Sequence, residues 1–451
     1  MRYYLDPFGC VKNQVDAENM MASLNASGWE SAPDADDADI IIVNSCGFIE
    51  SAKQESINAV LGWRRLYPEK KILLAGCLAQ RYSKELGEAL PEADLLFGNT
   101  DLAEIVKAAA KALGKKPRIN NPAASGSKAE GLSAAGSLTG ARPLLSLPGS
   151  AYVKISEGCN NCCTFCAIPL IRGGLKSRTI PDILEECKAL LKRGIKELCL
   201  IGQDLGSYGL DLQKDGPEKK SQLPLLLEKL SKLKGEFWVR LLYIHPDNFP
   251  LPLLDLMEKD ERFLPYFDIP FQHGSEKMLK NMNRHGNTKV YLSLIKTIRM
   301  RLQDAVIRST FMTGFPGETE EDFAELLKFQ ELAKLDWVGC FAYSREEDTP
   351  AYNMKNRVAK KTATMRKSSI EENQIPISEK QMDRFVGREF TCLVEEKVEG
   401  EDRLYLGRLP CQAPDVDGST VLSSDKELVP GTFVKGRVFA RAGIDLELKV
   451  K

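Results

Sequence analysis

The feature that most constrains this chain is a crowded group of cysteines in the stretch CNNCCTFC, Cys159 to Cys166. These four thiols can be divided in two ways. Taken as two abutting C-x-x-C pairs, they predict a four-thiolate site for one ion such as zinc. Taken as C-x-x-x-C-x-x-C, the ligands are Cys159, Cys163 and Cys166, and Cys162 is left over. The second division is favoured, because a zinc site usually separates its two arms by roughly 15 to 20 residues.

The composition says what kind of protein carries these cysteines. A chain of 451 residues predicts two or three domains, and its net charge of -1 gives no overall attraction to nucleic acid or anionic membrane. We find no apolar run of about 18 residues and no signal-peptide pattern, so we expect a cytoplasmic protein without membrane segments. In a cytoplasmic protein, twelve cysteines indicate metal or redox chemistry rather than disulfides. With only three histidines, any metal centre must be mainly thiolate-ligated, which favours zinc or iron–sulfur.

Composition and pattern divide the chain into three domains joined by one linker. Gly, Ala, Ser and Pro dominate residues 120–148, where no useful periodicity is present, and this stretch predicts a linker. Near Asp383, a Lys-rich helical sequence gives way to short alternating strands with glycine turns. We therefore predict an N-terminal domain over 1–119, a central domain over 149–383 and a C-terminal domain over 384–451.

In the N-terminal domain, short apolar runs alternate with helical segments, which predicts a parallel α/β sheet. The predicted strands are RYYLDPF, DIIIVNS, KILLAG and DLLFG. Cys10, Cys46 and Cys77 follow the first three, and the carboxyl ends of parallel strands share one edge. Each also precedes a helix, whose N-terminal field favours thiolate. One buried structural cysteine is common, but three at equivalent strand ends predict a second three-thiolate metal site.

The central domain repeats the strand and helix alternation six times, with predicted strands AYVKIS, ELCLIG, FWVRLLYI, YFDIPFQ, VIRSTFMTG and WVGCFAY. Six such units predict an open or partly closed parallel barrel with its site at the carboxyl rim. CNNCCTFC follows the first strand and is therefore expected on that rim. Short strands with glycine turns in the last domain predict a small antiparallel β-barrel. The expected fold class is therefore multidomain α/β.

The cysteine spacing resembles a known superfamily. C-x-x-x-C-x-x-C, with Phe165 before its last cysteine and a strand directly before it, is similar to the radical S-adenosylmethionine (SAM) enzymes. The resemblance implies a partial (β/α)6 barrel and a 4Fe–4S cluster with three cysteine ligands, whose fourth iron binds SAM. In that superfamily, reductive cleavage of SAM gives a radical that abstracts hydrogen from an unactivated carbon. The cofactors carry this chemistry, and the protein orients them.

The N-terminal domain narrows the family. It resembles that of the radical SAM methylthiotransferases in the stretches FGCVKNQVDAE, VNSCGFIESAKQES and AGCLAQRY. The resemblance implies that Cys10, Cys46 and Cys77 hold a second 4Fe–4S cluster, where a sulfur co-substrate is bound and inserted. One SAM is then the methyl donor and another is the radical source.

Parts of the core resemble the branch of this family that modifies a protein, in KISEGCNNCCTFCAIPLIRGGLKSR, IGQDLGSYG, YFDIPFQHGS, IRSTFMTGFPGETEEDF and DWVGCFAYS. That branch methylthiolates the β-carbon of an aspartate in ribosomal protein S-twelve, near the decoding centre. Relatives that modify adenosine in tRNA usually carry His in place of Asp268 and Ser in place of His273, and they are the alternative function. The chain departs from the branch at Cys162, where Arg is common, and at Val11, where Pro is common.

Residues near strand ends are the predicted cofactor contacts, and no catalytic residue is expected beyond the cluster ligands. The predicted contacts are Phe165, Gln203, Asp204, Gln272, Arg308 and Gly314. Gln272 and His273 are also candidates for contact with substrate, while Gly314 and Gly317 are expected in a turn for backbone reasons alone. The remaining cysteines fall in helix or strand patterns and are predicted core residues: Cys187, Cys199, Cys340, Cys392 and Cys411.

The last domain resembles the TRAM domain, which binds RNA in tRNA-modifying relatives. From Val386 to the end it has 12 acidic and 10 basic residues, whereas an RNA clamp is expected to be basic. Such a domain suits a basic protein partner, so the expected partner is ribosomal protein S-twelve or the small ribosomal subunit. We also expect a reductant such as flavodoxin or ferredoxin, an unidentified sulfur donor and a monomer. A non-enzymatic iron–sulfur electron carrier or RNA-binding regulator is the hypothesis from a different class.

Overall fold

A computed structural model of the chain describes residues 1–116, 141–214, 216 and 219–451. The linker predicted over 120–148 therefore lies outside the described residues as far as position 140. The domain boundaries stay predictions, although each of the three main sheets falls inside one expected domain. None of the helices in the described ranges combines the length and the apolar composition needed to span a lipid bilayer.

The N-terminal sheet contains β1 (Arg2–Pro7), β2 (Glu30–Ser31), β3 (Ile40–Ser45), β4 (Lys71–Gly76) and β5 (Leu95–Phe97). Its strands are parallel in the order β2-β1-β3-β4-β5, as the alternating pattern predicts. Every residue of the β3 sequence IIIVNS is buried, as is typical of a strand that is covered on both faces. The covering helices are α1 (Val11–Ala26), α2 (Glu50–Leu66), α3 (Cys77–Arg81), α4 (Ser83–Ala89) and α5 (Ile105–Ala112).

The central sheet confirms all six predicted strands, which are β6 (Ser150–Lys154), β9 (Glu197–Ile201), β10 (Trp238–Leu242), β11 (Phe263–Asp268), β12 (Val306–Thr313) and β13 (Trp337–Ala342). They are parallel and in sequential order. A short antiparallel pair, β7 (Ser156–Glu157) and β8 (Lys176–Ser177), lies beside the first strand. The helices are α6 (Ile168–Arg172), α7 (Ile180–Lys192), α8 (Leu223–Ser231), α9 (Leu253–Met257), α10 (Glu276–Asn281), α11 (Thr288–Arg301), α12 (Glu320–Ala333) and α13 (Lys360–Met382).

The C-terminal strands are β14 (Glu389–Lys397), β15 (Leu404–Arg408), β16 (Thr420–Ser423), β17 (Phe433–Ala442) and β18 (Asp445–Val450). They form the expected closed barrel, in the order β14-β15-β16-β18-β17. One neighbouring pair, β16 and β18, is parallel, which the expectation of an antiparallel barrel did not include. The five cysteines predicted to be core residues are all buried.

The C-terminal barrel packs directly on one face of the central sheet. Tyr152, Trp238 and Tyr266 of that sheet share a buried apolar cluster with Leu393 and Leu448 of the barrel. A buried ion pair between Arg408 and Glu197, 2.5 Å apart, crosses the same boundary. The barrel is therefore fixed against the sheet.

The N-terminal domain meets the core through charged residues of α1 that are buried. Asp16 is paired with Lys154 of β6, and Glu18 is 2.7 Å from the guanidinium of Arg142. Arg142 is fully buried and also pairs with Glu186 of α7. Since a charge left alone in the interior is costly, these pairs fix α1 against the central sheet.

Candidate functional site

The loop that carries CNNCCTFC lies between β7 and α6, beyond the carboxyl end of β6. Gly158, which opens it, has φ of +69°, and a Cβ there would lie 2.1 Å from the carbonyl oxygen of Gly174. Only glycine fits where the backbone lies this close to another segment of the chain. The loop therefore turns sharply at Gly158 and is held against the Gly173–Gly174 turn.

Cys162 differs from the other three cysteines of this loop. It is exposed and has a left-handed backbone with φ of 52°, whereas Cys159, Cys163 and Cys166 are partly buried. Its sulfur donates only a weak hydrogen bond, 3.4 Å long, to the carbonyl oxygen of Asn160. This geometry agrees with the division of the motif that leaves Cys162 out.

Asp204 holds the loop from the next strand of the sheet. Its Oδ2 accepts hydrogen bonds from Asn161 at 2.9 Å and from Asn248 at 2.7 Å, and its Oδ1 accepts from the backbone N–H of His245 at 2.9 Å. It also caps the short 3-10 turn that begins at Leu205. These hydrogen bonds occupy both carboxylate oxygens of Asp204. Asp204, which the sequence predicted as a cofactor contact, therefore supports the cysteine loop.

Two residues beside Cys163 were not predicted from the sequence. The Nε2 of His245 lies 3.9 Å from the Cys163 sulfur. Desolvation, and then the charge of Arg284, lower the pKa of His245 to about 4, so the ring is neutral near pH 7. Burial raises the pKa of Cys163, while Arg284 counters this by its charge and by a hydrogen bond. His245 gives no sequence signal beyond its position after β10.

The second set of cysteines lies at the carboxyl edge of β1, β3 and β4, as predicted. Cys10 precedes the first turn of α1, Cys46 directly follows β3, and Cys77 begins α3. A Cβ at Gly9 would lie 3.3 Å from the Cys46 sulfur, and a Cβ at Gly47 would lie 2.7 Å from the carbonyl oxygen of Cys77. Glycine at these two positions therefore lets the three cysteine segments approach one another.

Burial governs two thiols of this second set, those of Cys46 and Cys77, whereas Cys10 is exposed. Burial raises the pKa of Cys77 to about 12, with Arg172 opposing the rise and Cys10 and Cys46 adding to it. Burial also raises the pKa of Cys46, where Cys10 again contributes. For these two thiols lost solvation is the largest effect on the pKa. The expectation that the helix N-termini favour the thiolate stays a prediction.

The loop set shows the same behaviour. Burial raises the pKa of Cys159 to about 11 and that of Cys166 to about 12, and the other loop thiols contribute to both shifts. The thiols of both sets interact mutually, and all of them are half-buried or buried except that of Cys10, which is exposed. A thiol in such surroundings loses its proton when a metal ion takes the proton's place.

The donor sets fit iron–sulfur clusters better than a single ion. Within the ranges that the structure describes, no three side chains of His, Cys, Asp or Glu lie close enough to share one metal ion. The four-thiolate division of CNNCCTFC needs such a convergence. In a 4Fe–4S cluster each thiolate binds a different iron, so three sulfurs need only surround a larger object. In both sets a glycine lets the segments that carry the cysteines approach closely, and five of the six thiols are at least partly buried, which matches that requirement.

Arg172 connects the two sets. It ends the helix that follows the cysteine loop, and its NH2 group lies 3.1 Å from the Cys77 sulfur of the other set. It also contacts Asp16 and Glu157, at 2.9 and 2.8 Å. Desolvation would raise the pKa of Glu157, but Lys154 and Arg172 lower it to about 2. The ionised Glu157 therefore fixes Arg172 in contact with Cys77.

The other predicted cofactor contacts are more scattered. Gln203 donates to Glu157 at 3.1 Å, and its buried Oε1 has no hydrogen-bond partner among the described residues. Phe165 packs on an apolar cluster that contains Met278 and Phe315. Gly314 has φ of +76°, and its backbone N–H donates to Glu318.

Gln272, Arg308 and His273 lie deeper in the central domain than expected for rim residues. Gln272 is buried, has φ of 69° and pairs with Phe311 through its backbone. Arg308 lies between Asp268 and Asp417 of the C-terminal barrel, at 3.7 and 3.4 Å. His273, a candidate for contact with substrate, is fully buried.

Lys12 is a further residue of this region that the sequence did not point to. It lies on α1 two positions after Cys10, and its ammonium is 2.9 Å from the ring centroid of Tyr243. Desolvation lowers the pKa of Lys12 to about 8, although Cys10 and Asp268 oppose the lowering. Tyr243 directly follows β10 and has φ of 72°, which is rare for a residue with a side chain.

Three family models match separate parts of the chain. Residues 2–98 match the uncharacterized protein family UPF0004, residues 153–329 match the radical SAM superfamily, and residues 386–450 match the TRAM domain. The first two models contain the two cysteine sets, one each.

Curated relatives are similar over nearly the whole length. The "Ribosomal protein uS12 methylthiotransferase RimO" of Treponema denticola is 47% identical over 466 residues, covering 98% of this chain and 99% of that protein. The proteins of the same name from Bdellovibrio bacteriovorus and Aquifex aeolicus are 40% and 39% identical, and each alignment covers 97% of this chain. They cover 95% and 94% of those proteins.

Among solved structures, the chain is similar to the radical SAM methyltransferase TsrM from Kitasatospora setae, which was determined with cobalamin and a 4Fe–4S cluster bound. The TM-score is 0.53 and the identity 12%, over 78% of this chain and 73% of that chain. A second structure of TsrM, with tryptophan and a SAM analogue, gives a TM-score of 0.51, over 75% of this chain and 72% of that chain. At this identity the likeness concerns the fold alone.

Proposed function

Because this chain belongs to the RimO family of ribosomal protein uS12 methylthiotransferases, we propose that it attaches a methylthio group to the β-carbon of an aspartate in uS12. It is a radical SAM enzyme with 4Fe–4S clusters and SAM as cofactors. The observation that carries the proposal is the near full-length similarity of 39–47% to relatives with this name. The tRNA alternative is not favoured, because these relatives all carry the uS12 name.

We assign each cysteine set to one cluster. Cys159, Cys163 and Cys166 would hold the cluster that binds SAM, and Cys10, Cys46 and Cys77 would hold the cluster at which sulfur is delivered. The partial burial of each set and the close approach allowed by Gly9, Gly47 and Gly158 support this assignment. When bound, these groups with SAM supply the electron transfer, the radical and the sulfur chemistry.

The chain itself would position and shield these groups. Asp204 keeps the cysteine loop in place through Asn161, and Gly158 fixes the start of the loop. Arg172 donates to the Cys77 sulfur and joins the two domains, so it would stabilise negative charge on the second set. The buried pairs of Asp16 and Glu18 would keep the two sets at a constant separation.

Gln203 is the most plausible direct contact to a bound cofactor among the predicted ones, because its Oε1 is buried without a protein partner in the described ranges. Gln272, Arg308, Gly314 and Phe165 remain proposed contacts. Asp204 would act through the loop rather than on SAM. We further propose a cytoplasmic monomer that uses a small electron carrier such as flavodoxin or ferredoxin, and a separate sulfur donor.

Mass spectrometry of uS12 and of tRNA from a deletion strain tests the function. The aspartate of uS12 should lose its methylthio group in the deletion strain and regain it when this chain is supplied, with the tRNA modification unchanged throughout. Loss of the tRNA mark alone would refute the proposal. Absence of SAM cleavage by the reduced protein would instead favour a non-enzymatic iron–sulfur carrier.

Iron analysis tests the cluster assignment. The wild type should hold about eight irons per chain in two four-iron clusters. Replacing Cys10, Cys46 and Cys77 by Ala should leave about four, with SAM cleavage retained and methylthiolation abolished. An unchanged iron content in this variant would show that the second set holds no cluster.

A further inference from the structure

The reacting carbon of the substrate places a condition on the site, provided that the proposed function is correct. The β-carbon of an aspartate is bonded directly to the side-chain carboxylate carbon. A negative charge must therefore lie within a bond or two of the reaction, in the space between the two cysteine sets. Excluding water from such a site requires a cation for this carboxylate, because a buried unpaired charge is strongly unfavourable.

Most cations of this region are already paired. Lys154 binds Asp16 and Glu157, and Arg172 binds the same two carboxylates. Arg308 lies between Asp268 and Asp417, at 3.7 and 3.4 Å. None of these three has a positive charge left for an incoming carboxylate.

Lys12 differs from all of them. Only 7% of its surface is exposed, yet in the part of the chain that the structure describes its ammonium has neither a hydrogen bond nor a carboxylate within ion-pair distance. Its ammonium instead lies against the ring of Tyr243. An ammonium carries three N–H donors, and no group of the described residues accepts a hydrogen bond from this one, which points to an acceptor that arrives with a ligand.

The position of Lys12 suits this role. It follows Cys10 of the second set by two residues, while Tyr243 precedes His245, the neighbour of Cys163 in the first set, by two residues. The Lys12–Tyr243 contact therefore lies where α1 of the N-terminal domain meets the carboxyl end of β10, between the two sets of cysteines.

We propose that Lys12 binds the side-chain carboxylate of the uS12 aspartate. The flat ring of Tyr243 holds the ammonium in place without neutralising it, since a cation–π contact leaves the formal charge available. Holding the carboxylate beside Cys10 would bring the β-carbon next to the sulfur-delivering set. The same contact would discriminate against an asparagine, which has no charge to offer.

The test compares binding of purified uS12 with binding of uS12 whose target Asp is replaced by Asn. The cluster-loaded enzyme with SAM, but without reductant, is used so that no turnover occurs, and Kd is measured by titration calorimetry. A charge-assisted hydrogen bond predicts that the wild type binds the Asp form about 10 to 100 times more tightly. In Lys12→Met this ratio should fall to about one, and Lys12→Arg should recover part of it.

Lys53→Met is the matched control. Lys53 is another nearly buried lysine of the N-terminal domain, but its ammonium is paired with Glu346 at 3.2 Å. Its replacement should leave the Asp-to-Asn ratio as in the wild type. A Lys12→Met enzyme with normal iron content that keeps the wild-type ratio would overturn the proposal, as would a wild type that binds both forms equally.

The proposed function can fail separately. If the wild-type enzyme with reductant does not methylthiolate uS12, the function itself is wrong. If it does, and Lys12→Met still prefers the Asp form, only the assignment of Lys12 is wrong.

Discussion

The two cysteine sets reach similar surroundings by opposite routes. Cys159, Cys163 and Cys166 lie within eight consecutive residues of one loop. Cys10, Cys46 and Cys77 come from the ends of three neighbouring parallel strands. Burial raises the pKa of most of these thiols, and in both sets a glycine permits a backbone approach that a Cβ would block. The exception in burial is Cys10, which is exposed. The two sets therefore share the burial of most of their thiols, but they differ in how the thiols are brought together.

This difference teaches which changes each set tolerates. The loop set depends on the conformation of a few residues and on Asp204, which holds the loop from a neighbouring strand. The strand-end set depends on the whole sheet and on Arg172, which reaches it from the other domain. A local backbone change should therefore damage the first set alone, whereas the second should respond to changes at the domain interface.

The largest expected effect separates two adjacent cysteines. Cys163→Ala should lower the iron content from about eight to about four per chain and abolish SAM cleavage, because a cluster ligand is lost. Cys162→Ala should keep iron and activity, because Cys162 is exposed and its sulfur donates only a weak hydrogen bond to the carbonyl oxygen of Asn160. Iron analysis and a deoxyadenosine assay measure both. The reverse result would restore the division into two C-x-x-C pairs.

Glycine replacements should give a smaller effect that is specific to one set. Gly158→Ala combines a left-handed backbone with a Cβ 2.1 Å from the Gly174 carbonyl, so we expect destabilisation of about 3 kcal/mol or more and loss of the first cluster. Gly173→Ala has a similar φ of +74° in open space and should cost only about 1–2 kcal/mol. Denaturant unfolding and iron content distinguish them. Equal effects would mean that steric contact at Gly158 is unimportant.

The strand-end set offers the same comparison. A Cβ at Gly47 would lie 2.7 Å from the Cys77 carbonyl oxygen, so Gly47→Ala should reduce iron in the second set while SAM cleavage persists. Gly62 lies within α2 with no atom in contact, and Gly62→Ala should stabilise by up to about 1 kcal/mol. If Gly47→Ala impaired SAM cleavage as strongly as methylthiolation, the two sets would not be independent.

The smallest predicted effect concerns Arg172. Arg172→Lys keeps a charge near Asp16 and Glu157 but loses the planar group that donates to the Cys77 sulfur. Hydrogen bonds to sulfur favour the reduced cluster, so the reduction potential of the second cluster should fall by roughly 60 mV, a tenfold change for one electron. A redox titration followed by electron paramagnetic resonance measures this.

Arg178→Lys is the control for Arg172→Lys. The side chain of Arg178 is about as buried as that of Arg172, and it pairs with Glu186 and Asp182. Among the described residues it has no hydrogen bond to a cysteine. It should lower the stability without moving either potential. A shift of the same size in both variants would indicate a general effect of the interface rather than the bond to Cys77.

Regular elements around the cysteines follow directly from the sequence. Alternating apolar runs located the strands before Cys10, Cys46 and Cys77 and all six strands of the central sheet, because parallel strands buried on both faces are nearly continuous apolar runs. The convergence of three strand ends needed only the rule that parallel strands share a carboxyl edge. The short strand β2 and the parallel β16–β18 pair escaped prediction, since two to four residues carry too little pattern.

The electrostatic part of the site could not be predicted. In α1, the polar side chains of Lys12, Asn13, Asp16 and Glu18 are buried, whereas such residues on a helix usually face solvent. The partners of Asp16 are Lys154 and Arg172, and the partner of Glu18 is Arg142, all more than 120 residues away in sequence. Arg366 is another buried charged residue of a helix, and it lies 3.4 Å from Glu318.

The ion pairs between α1 and the central domain have a consequence for the order in which contacts form during synthesis. Asp16 and Glu18 are synthesised before their partners Arg142, Lys154 and Arg172. These two carboxylates therefore have no ion-pair partner from the central domain while the first domain emerges from the ribosome. Domains generally begin to fold as they emerge. The nascent N-terminal domain can thus form its sheet early, but it can close around its cysteines only when the core docks. The hydrogen bond from Arg172 to the Cys77 sulfur is therefore absent from the first domain while it emerges.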